Sequence, residues 1–182
     1  LLVCDMSSDI FSRVIDFSHF DLVYAGAQKN MGPAGSTLVV VKKELLGKTG
    51  RDIPSMLDYS LHIAKESMYN TPPVFPVYAS LLTLQHLENN GGIEAAEARN
   101  EAKAKLIYGE IDRNPLFETF CIKEEDRSLM NVSFKLIDES KKEEFDNAWK
   151  AAGISGLNGH RSLGGYRASM YNAMPIESVQ IL

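Results

Sequence analysis

The sequence predicts an α/β chain that begins with short strands and continues into a region where helices and strands alternate. Runs of apolar or β-branched residues at positions 1–4, 22–25 and 37–41 predict the early strands. Apolar residues at helical spacing over 77–87 predict a helix, and an Ala-, Glu- and Lys-rich run over 93–111 predicts a second. These patterns place the chain in the α/β class.

The strand-rich first part contains one segment of unusual composition. Residues 1–4 are apolar throughout and predict a strand buried on both faces. Residues 27–35 are rich in Gly, Ala and Pro, which predicts an ordered loop directly after the second strand. Four prolines make residues 43–76 irregular, and we place the boundary with the second part between residues 55 and 76.

The second part predicts further strands and two further helices. The strands are expected at residues 117–122, 130–137, 154–157 and 167–171. Ser140 and Glu143 form a capping-box pattern that predicts a helix ending at Gly153. Pro175 is well placed to open a last helix.

Composition excludes several classes of protein. Hydrophobic residues make up 45% and charged residues 24% of 182 residues, which excludes a disordered tail, a collagen-like chain and a small disulfide scaffold. The net charge of −5 argues against a nucleic-acid partner, and no apolar run is long enough for a membrane span. Cys4 and Cys121 form no disulfide framework and suggest a reducing compartment. The chain opens on an apolar run without Met, so we expect it to be part of a longer protein.

Two residues of the first part could carry covalent cofactor chemistry. Lys29 lies in the small-residue loop, where a lysine can lose its proton and form a Schiff base with a carbonyl. Asp5 directly follows the first strand, and ligands of parallel sheets bind at the carboxyl ends of strands. The alternatives are a solvated loop lysine and an aspartate that caps a turn.

Further polar residues could bind anions. His160, Arg161 and Arg167 flank paired glycines, and two arginine forks would suit a doubly anionic substrate. Asn70 and Thr71 precede a rigid Pro-Pro pair and could hydrogen-bond a phosphate. Both groups could equally be ordinary surface turns. The histidines and cysteines lack the spacing of metal ligands, so no metal is expected.

Taken together, these residues resemble the phosphoserine aminotransferase family of class V aminotransferases, which are pyridoxal-phosphate (PLP) enzymes of fold type I. Each motif is weak alone, but five of them occur in family order across the whole chain. The matching stretches are residues 5–8, 24–35, 68–73, 159–161 and 164–175. The resemblance implies that residues 1–70 are the C-terminal part of a large PLP-binding domain. It implies that residues 71–182 are a small C-terminal α+β domain whose last helix is truncated.

The resemblance also implies roles for residues at the cofactor. Lys29 matches the lysine that forms the Schiff base with PLP and acts as the catalytic acid and base. Asp5 matches the aspartate that pairs with the pyridine nitrogen, and Gln28 matches a residue at the PLP phosphate. Asn70 and Thr71 match a pair that reaches the PLP phosphate of the neighbouring subunit, which implies a homodimer.

The remaining implied roles concern the substrates. His160 and Arg161 match contacts with a substrate phosphate, and Arg167 matches the arginine that holds the α-carboxylate. The implied reaction transfers the amino group of L-glutamate to 3-phosphohydroxypyruvate in serine biosynthesis, in the cytoplasm, and the use of a vitamin B6 pathway substrate stays open. The family's N-terminal segment, which supplies further contacts with PLP, is missing here.

Two alternatives remain at this point. The first is another PLP enzyme of the superfamily, such as a serine–pyruvate or alanine–glyoxylate aminotransferase or a cysteine desulfurase. Desulfurases typically place His before the Schiff-base lysine, whereas Gln28 precedes Lys29 here. The second alternative is a catalytically incomplete fragment that serves only as a structural or dimerising domain.

Overall fold

The computed structural model describes all 182 residues and separates them into two compact units. The first unit comprises Leu1–Ile10 and Ile15–Asn89, and the second comprises Phe11–Val14 and Asn90–Leu182. The division at Asn89 falls later in the chain than the boundary predicted after residue 70. That boundary concerns the domains of the whole protein and stays a prediction.

The first unit contains a three-stranded sheet and two helices. Strands β1 (Val3–Asp5), β2 (Leu22–Gly26) and β3 (Thr37–Val41) lie in the order β1-β2-β3. β1 runs parallel to β2, whereas β3 is antiparallel to β2. The helices are α1 (Tyr59–Ala64) and α2 (Val74–Asn89), and 3-10 turns lie at Phe17–His19, Lys43–Leu45 and Ser55–Leu57. All three early strands are therefore confirmed in place.

The burial predicted for the first strand is wrong for this chain. β1 hydrogen-bonds to β2 alone, and Val3 remains 55% exposed. The central strand β2 is the buried one, because Val23 and Ala25 are only 2% and 0% exposed. β1 nevertheless ends at Asp5, so it delivers this carboxylate to the carboxyl end of the sheet.

The second unit combines an antiparallel sheet with three helices. The sheet order is β4-β5-β6, and both strand pairs are antiparallel. The elements are α3 (Gly92–Arg113), β4 (Phe117–Thr119), β5 (Asn131–Leu136), α4 (Lys142–Ala151), β6 (Tyr166–Ser169) and α5 (Ile176–Ile181), with 3-10 turns at Glu124–Asp126 and Glu139–Lys141.

The core of this unit lies between the sheet and α3. β5 alternates in burial, so Val132, Phe134 and Leu136 face the core. Ile107 and Ile111 of α3, four residues apart, belong to the same buried cluster. Each such side chain contributes roughly 1.5–3 kcal/mol when fully buried. This packing holds β6 and the residues that it carries.

A polar contact anchors the start of β6 within that core. Asp146 of α4 accepts hydrogen bonds from the Tyr166 hydroxyl at 2.8 Å and from Trp149 Nε1 at 3.1 Å. Lys142 first, and then these two donors, lower the pKa of Asp146 to about 2. Burial and the Asp146 carboxylate raise the pKa of Tyr166. Tyr166, which directly precedes Arg167, is thus held in place through its hydroxyl group.

Two local predictions fail in the second unit. Residues 154–157 do not form a strand, because Gly153 and Gly156 adopt φ of 78° and 72°, which interrupts extended backbone. Only an isolated bridge joins Asn158 to Tyr166. Ser140 does not cap the following helix, because Asp138 Oδ1 accepts from the Ser140 backbone N–H and a 3-10 turn precedes α4.

None of the helices combines the length and the apolarity that spanning a bilayer requires.

Candidate active site

An ionised carboxylate stands at the end of β1. Asp5 Oδ1 accepts hydrogen bonds from the backbone N–H of Ser7 at 2.9 Å and from the Ser7 hydroxyl at 2.6 Å. These bonds, with smaller contributions from the Tyr24 side chain and the positive charge of Lys29, hold the pKa of Asp5 below its usual value. Asp5 is therefore negatively charged at neutral pH.

Ser7 also joins the ends of two neighbouring strands. Its hydroxyl donates to Asp5 and accepts from the backbone N–H of Gly26 at 3.0 Å. Gly26 closes β2, and a Cβ atom at this position would collide with the Gln28 carboxamide. The Gln28 side chain therefore lies against Gly26, at the start of the loop that carries Lys29.

Lys29 is held by the segment that follows Asp5. Its Nζ donates to the Ser8 hydroxyl at 2.6 Å. The neighbouring Asn30, only 5% exposed, donates from Nδ2 to the carbonyl oxygens of Ser8 at 3.2 Å and Ile10 at 3.0 Å. One set of contacts between residues 5–10 and the loop thus holds both Asp5 and Lys29 in place. The positive charge of Lys29 also contributes to the lowered pKa of Asp5.

The loop of residues 27–35 packs closely against helix α2. A Cβ atom on Gly32 would lie 3.0 Å from Ser80 Oγ and 3.3 Å from the Ser80 backbone. Gly35 has φ of +130°, and a Cβ atom there would lie 2.7 Å from Pro76 Cγ. Only glycine permits these approaches without displacement. The composition of residues 27–35 therefore serves packing, and the predicted ordered loop is confirmed.

Asn70 and Thr71 lie in the first unit but have no hydrogen bond to the Asp5–Lys29 region. Both are exposed, and Asn70 Nδ2 donates only to the Thr71 carbonyl at 3.3 Å. The structure of this single chain does not bring them into the site formed by Asp5 and Lys29.

His160 and Arg161 lie on a tight turn of the second unit. His160 Nδ1 is 2.8 Å from the Ser162 hydroxyl, and the His160 carbonyl accepts from the Gly164 N–H at 2.8 Å. The turn closes because Gly159 N–H donates to the Gly165 carbonyl. The Arg161 guanidinium is exposed and makes no ion pair within the chain, so its charge is available to an anion.

Arg167 is placed differently, on the regular strand β6. It lies opposite Ser133 of β5, and its backbone N–H donates to the Leu157 carbonyl at 2.7 Å. Its side chain is half-buried and has no hydrogen-bond or ion-pair partner within the chain, while it lines a cavity of about 140 Å³. A half-buried guanidinium without a counterion is suited to bind a carboxylate.

A larger cavity of the first unit does not coincide with these residues. Its volume is about 580 Å³, and its walls include Leu1, Val3, Asp21 and Tyr59, with no predicted site residue among them. The candidate site is instead the region in which Ser7 and Ser8 hold Asp5 and Lys29. No group of three His, Cys, Asp or Glu side chains is placed to hold a metal ion.

Sequence patterns alone do not predict the residues that support the site. Ser7 and Ser8 lie within the matching stretch 5–8 without a predicted role of their own, but they hold Asp5 and Lys29. The Asp-x-Ser pattern is a signal for the turn at Asp5. No local signal indicates that Asn30 binds carbonyls of residues 20 and 22 positions earlier.

Comparison with known proteins identifies the class to which this geometry belongs. The sequence model of the aminotransferase class-V family matches residues 1–182, and the chain belongs to that family. A solved phosphoserine aminotransferase from Bacillus circulans subsp. alkalophilus superposes with a TM-score of 0.90 at 45% identity, over 98% of this chain and 50% of that one. The predicted fold, part of a fold-type-I aminotransferase, is confirmed.

Two further relatives carry the name phosphoserine aminotransferase. A curated phosphoserine aminotransferase from Flavobacterium psychrophilum is 71% identical over 181 residues, which cover 100% of this chain and 51% of that protein. The PLP-bound phosphoserine aminotransferase of Trichomonas vaginalis is 37% identical with a TM-score of 0.90, over 99% of this chain and 52% of that one. The predicted resemblance is confirmed, and the chain spans about half the length of these relatives.

The contacts of Asn30 generate a test of how the site is held. Asn30→Asp replaces the donor by a carboxylate oxygen facing two carbonyls, so we expect the free energy of unfolding to fall by about 2 kcal/mol or more. Because Ser8 is released, the affinity of the whole enzyme for PLP should fall as well. Urea unfolding and PLP titration measure the two effects.

Asn89→Asp, at the exposed end of α2, is the matched control and should change stability by less than about 0.5 kcal/mol. Equal behaviour of the two variants would contradict the role given to Asn30.

Proposed function

We propose that the whole protein that contains this chain is a PLP-dependent transaminase. It transfers the amino group of L-glutamate to 3-phosphohydroxypyruvate and gives O-phospho-L-serine and 2-oxoglutarate. The observation that carries the proposal is that Asp5, held ionised by Ser7, and Lys29, held by Ser8, lie in neighbouring segments at the carboxyl end of β1 and β2. The names of the relatives, at up to 71% identity, support the choice of substrates.

The residues present fit PLP. The Asp5 carboxylate is kept ionised, as an acceptor for a protonated pyridine nitrogen must be. Lys29 offers a primary amine to the aldehyde, and Gln28 lies on the same loop for the phosphate. When bound, PLP supplies an electron sink that stabilises negative charge at the substrate α-carbon.

The chain's own residues then have separate tasks. The Lys29 amine takes the proton from the substrate α-carbon and later returns one, as a general base and acid. The Ser8 hydroxyl, 2.6 Å from Nζ, orients that amine. Ser7 keeps Asp5 ionised and in place, so the carboxylate remains a fixed negative charge throughout.

Arg161 and Arg167 are proposed as substrate-binding residues because each guanidinium group lacks a counterion within the chain. Arg167 holds the α-carboxylate, since its half-buried guanidinium has no counterion in the chain. His160 and Arg161 bind the substrate phosphate, since their turn presents an exposed guanidinium beside an imidazole. Arginine forks match both anions in geometry.

Other readings of the chain have less support. A cysteine desulfurase needs a mobile catalytic cysteine, but Cys121 Sγ lies 3.5 Å from the Lys123 carbonyl and forms a local hydrogen bond. Other aminotransferases of the family do not need a phosphate site such as His160 and Arg161. A purely structural role of the chain does not explain why Ser8 holds Lys29 and Ser7 holds Asp5.

We also propose that the enzyme is a homodimer in which Asn70 and Thr71 reach the PLP phosphate of the partner. The adjoining helix α2 supports this, because its apolar side chains are exposed. The exposed side chains on α2 are Val74, Phe75, Val77, Tyr78, Leu81 and Leu82. The serine-pathway reaction and the free thiols of Cys4 and Cys121 support a cytoplasmic location.

Charge on α2 should separate the subunits. In the whole enzyme we expect Leu81→Asp to shift sedimentation from dimer to monomer and to weaken retention of PLP, because a carboxylate is costly to bury. Leu106→Asp, an exposed leucine of the second unit, is the control and should stay dimeric. A wild-type enzyme that sediments as a monomer at micromolar concentration would refute the shared site.

Arg161 provides the test of the substrate. In the whole enzyme, Arg161→Ala should lower kcat/KM for phosphorylated substrates about 100-fold, because a charge-assisted pair is lost, and should change it for unphosphorylated analogues less than about threefold. A coupled assay with 3-phosphohydroxypyruvate and with hydroxypyruvate measures both. Equal losses would overturn the phosphate assignment, and an inactive wild type would overturn the proposed function.

A further inference from the structure

Helix α3 carries polar side chains on a face that otherwise packs in the core. Glu97, Asn100 and Lys103 recur at a spacing of three residues, so they follow one another along one side of the helix. Asn100 and Lys103 are only 1% and 2% exposed. Burying an ammonium group is costly unless donors and acceptors are matched, so this lysine requires an explanation.

The Lys103 ammonium meets three backbone acceptors. Its Nζ donates to the carbonyl oxygens of Met170 at 2.9 Å, Tyr171 at 3.0 Å and Met174 at 3.1 Å. Lysine has three N–H donors, so the match is complete. Burial, with a smaller contribution from the charge of Arg99, lowers the pKa of Lys103 to about 8, and the group remains mostly protonated at pH 7.

These carbonyls belong to the turn that directly follows β6, which we call the 170–174 turn. The ladder with β5 ends at the pair Ser169–Asn131. Beyond it, the strand can no longer satisfy its carbonyl groups by sheet pairing, and buried carbonyls need donors. Lys103 therefore supplies donors to carbonyls beyond the end of the ladder, and the Tyr171 carbonyl also accepts from the Met174 N–H at 2.8 Å.

Asn100 attaches the same turn a second time. Its Nδ2 is 2.8 Å from Asn172 Oδ1 and also 2.8 Å from the Ser12 carbonyl. Asn172 in turn donates from Nδ2 to the Phe11 carbonyl at 2.8 Å. The 170–174 turn is thus tied to α3 at two places one helical turn apart, and both use buried polar side chains.

We propose that Lys103 is a positioning residue for Arg167. Arg167 lies on β6, three residues before Met170 of the 170–174 turn. Strand β6 is therefore held by β5 along one side and by the 170–174 turn at its end. Without Lys103 the turn keeps the Asn100–Asn172 contact to α3, but the strand end is held less firmly and the guanidinium can shift with it. This inference rests on the proposed function, in which Arg167 binds the α-carboxylate.

The test compares Lys103→Met, Lys103→Gln and a matched control in the whole PLP-loaded enzyme. Met keeps the length of the side chain without donors, and Gln keeps two N–H donors. Lys105→Met, an exposed lysine on the same helix, is the control. The readouts are kcat and KM for L-glutamate, the inhibition constant of inorganic phosphate, and the absorbance of PLP bound at Lys29.

We expect KM for glutamate to rise roughly tenfold in Lys103→Met and less in Lys103→Gln, because small misplacements of binding groups are costly. The phosphate inhibition constant and the PLP absorbance should stay within about twofold of wild type, as should every readout of the control. A general structural role would move all readouts together.

Three results would overturn the inference. The first is an unchanged KM for glutamate in Lys103→Met. The second is a loss of phosphate inhibition and of PLP binding that parallels the change in KM. The third is failure of both Lys103 variants to fold. A wild-type enzyme without transaminase activity would instead refute the proposed function itself, and this outcome is recognised before any variant is compared.

Discussion

The parallel pairing of β1 with β2 is the constraint on which the candidate site depends. The register places Asp5 beside Tyr24 and brings both strands to an end at the same edge of the sheet. The chain leaves that edge in two segments, residues 6–10 and the loop after Gly26. The Ser7 hydroxyl bridges Asp5 and the Gly26 N–H across this edge. A slip of the register would separate Asp5 from Lys29 and remove the site.

Both compact units use buried amides or amines to satisfy carbonyls where regular structure ends. In the first unit, Asn30 binds the carbonyls of Ser8 and Ile10. In the second unit, Lys103 binds carbonyls of the 170–174 turn. Such networks are costly when a partner is lost and rigid when complete. Each of them holds a segment that carries a proposed functional residue, Lys29 or Arg167.

Strong local patterns explain what the sequence predicts correctly. Residues 37–41 are apolar or β-branched and form β3 with the predicted bounds. Helical spacing of apolar residues locates α2, and the Ala-, Glu- and Lys-rich run locates α3. Local patterns fail where tertiary contacts decide. Residues 154–157 are not a strand because Gly153 before the segment and Gly156 within it adopt positive φ, and Asp138 takes the capping role expected of Ser140. The contacts of Lys103 span 67 to 71 residues, which no local pattern encodes.

The central claim is that Lys29 is the residue that binds PLP covalently, and trapping tests it most directly. The whole enzyme is loaded with PLP and reduced with borohydride, and the modified peptide is located by mass spectrometry. We expect one stable pyridoxyl adduct per chain, on Lys29, and none at that position in Lys29→Ala. An adduct on another lysine such as Lys42 or Lys43, or none in the wild-type enzyme, would contradict the account.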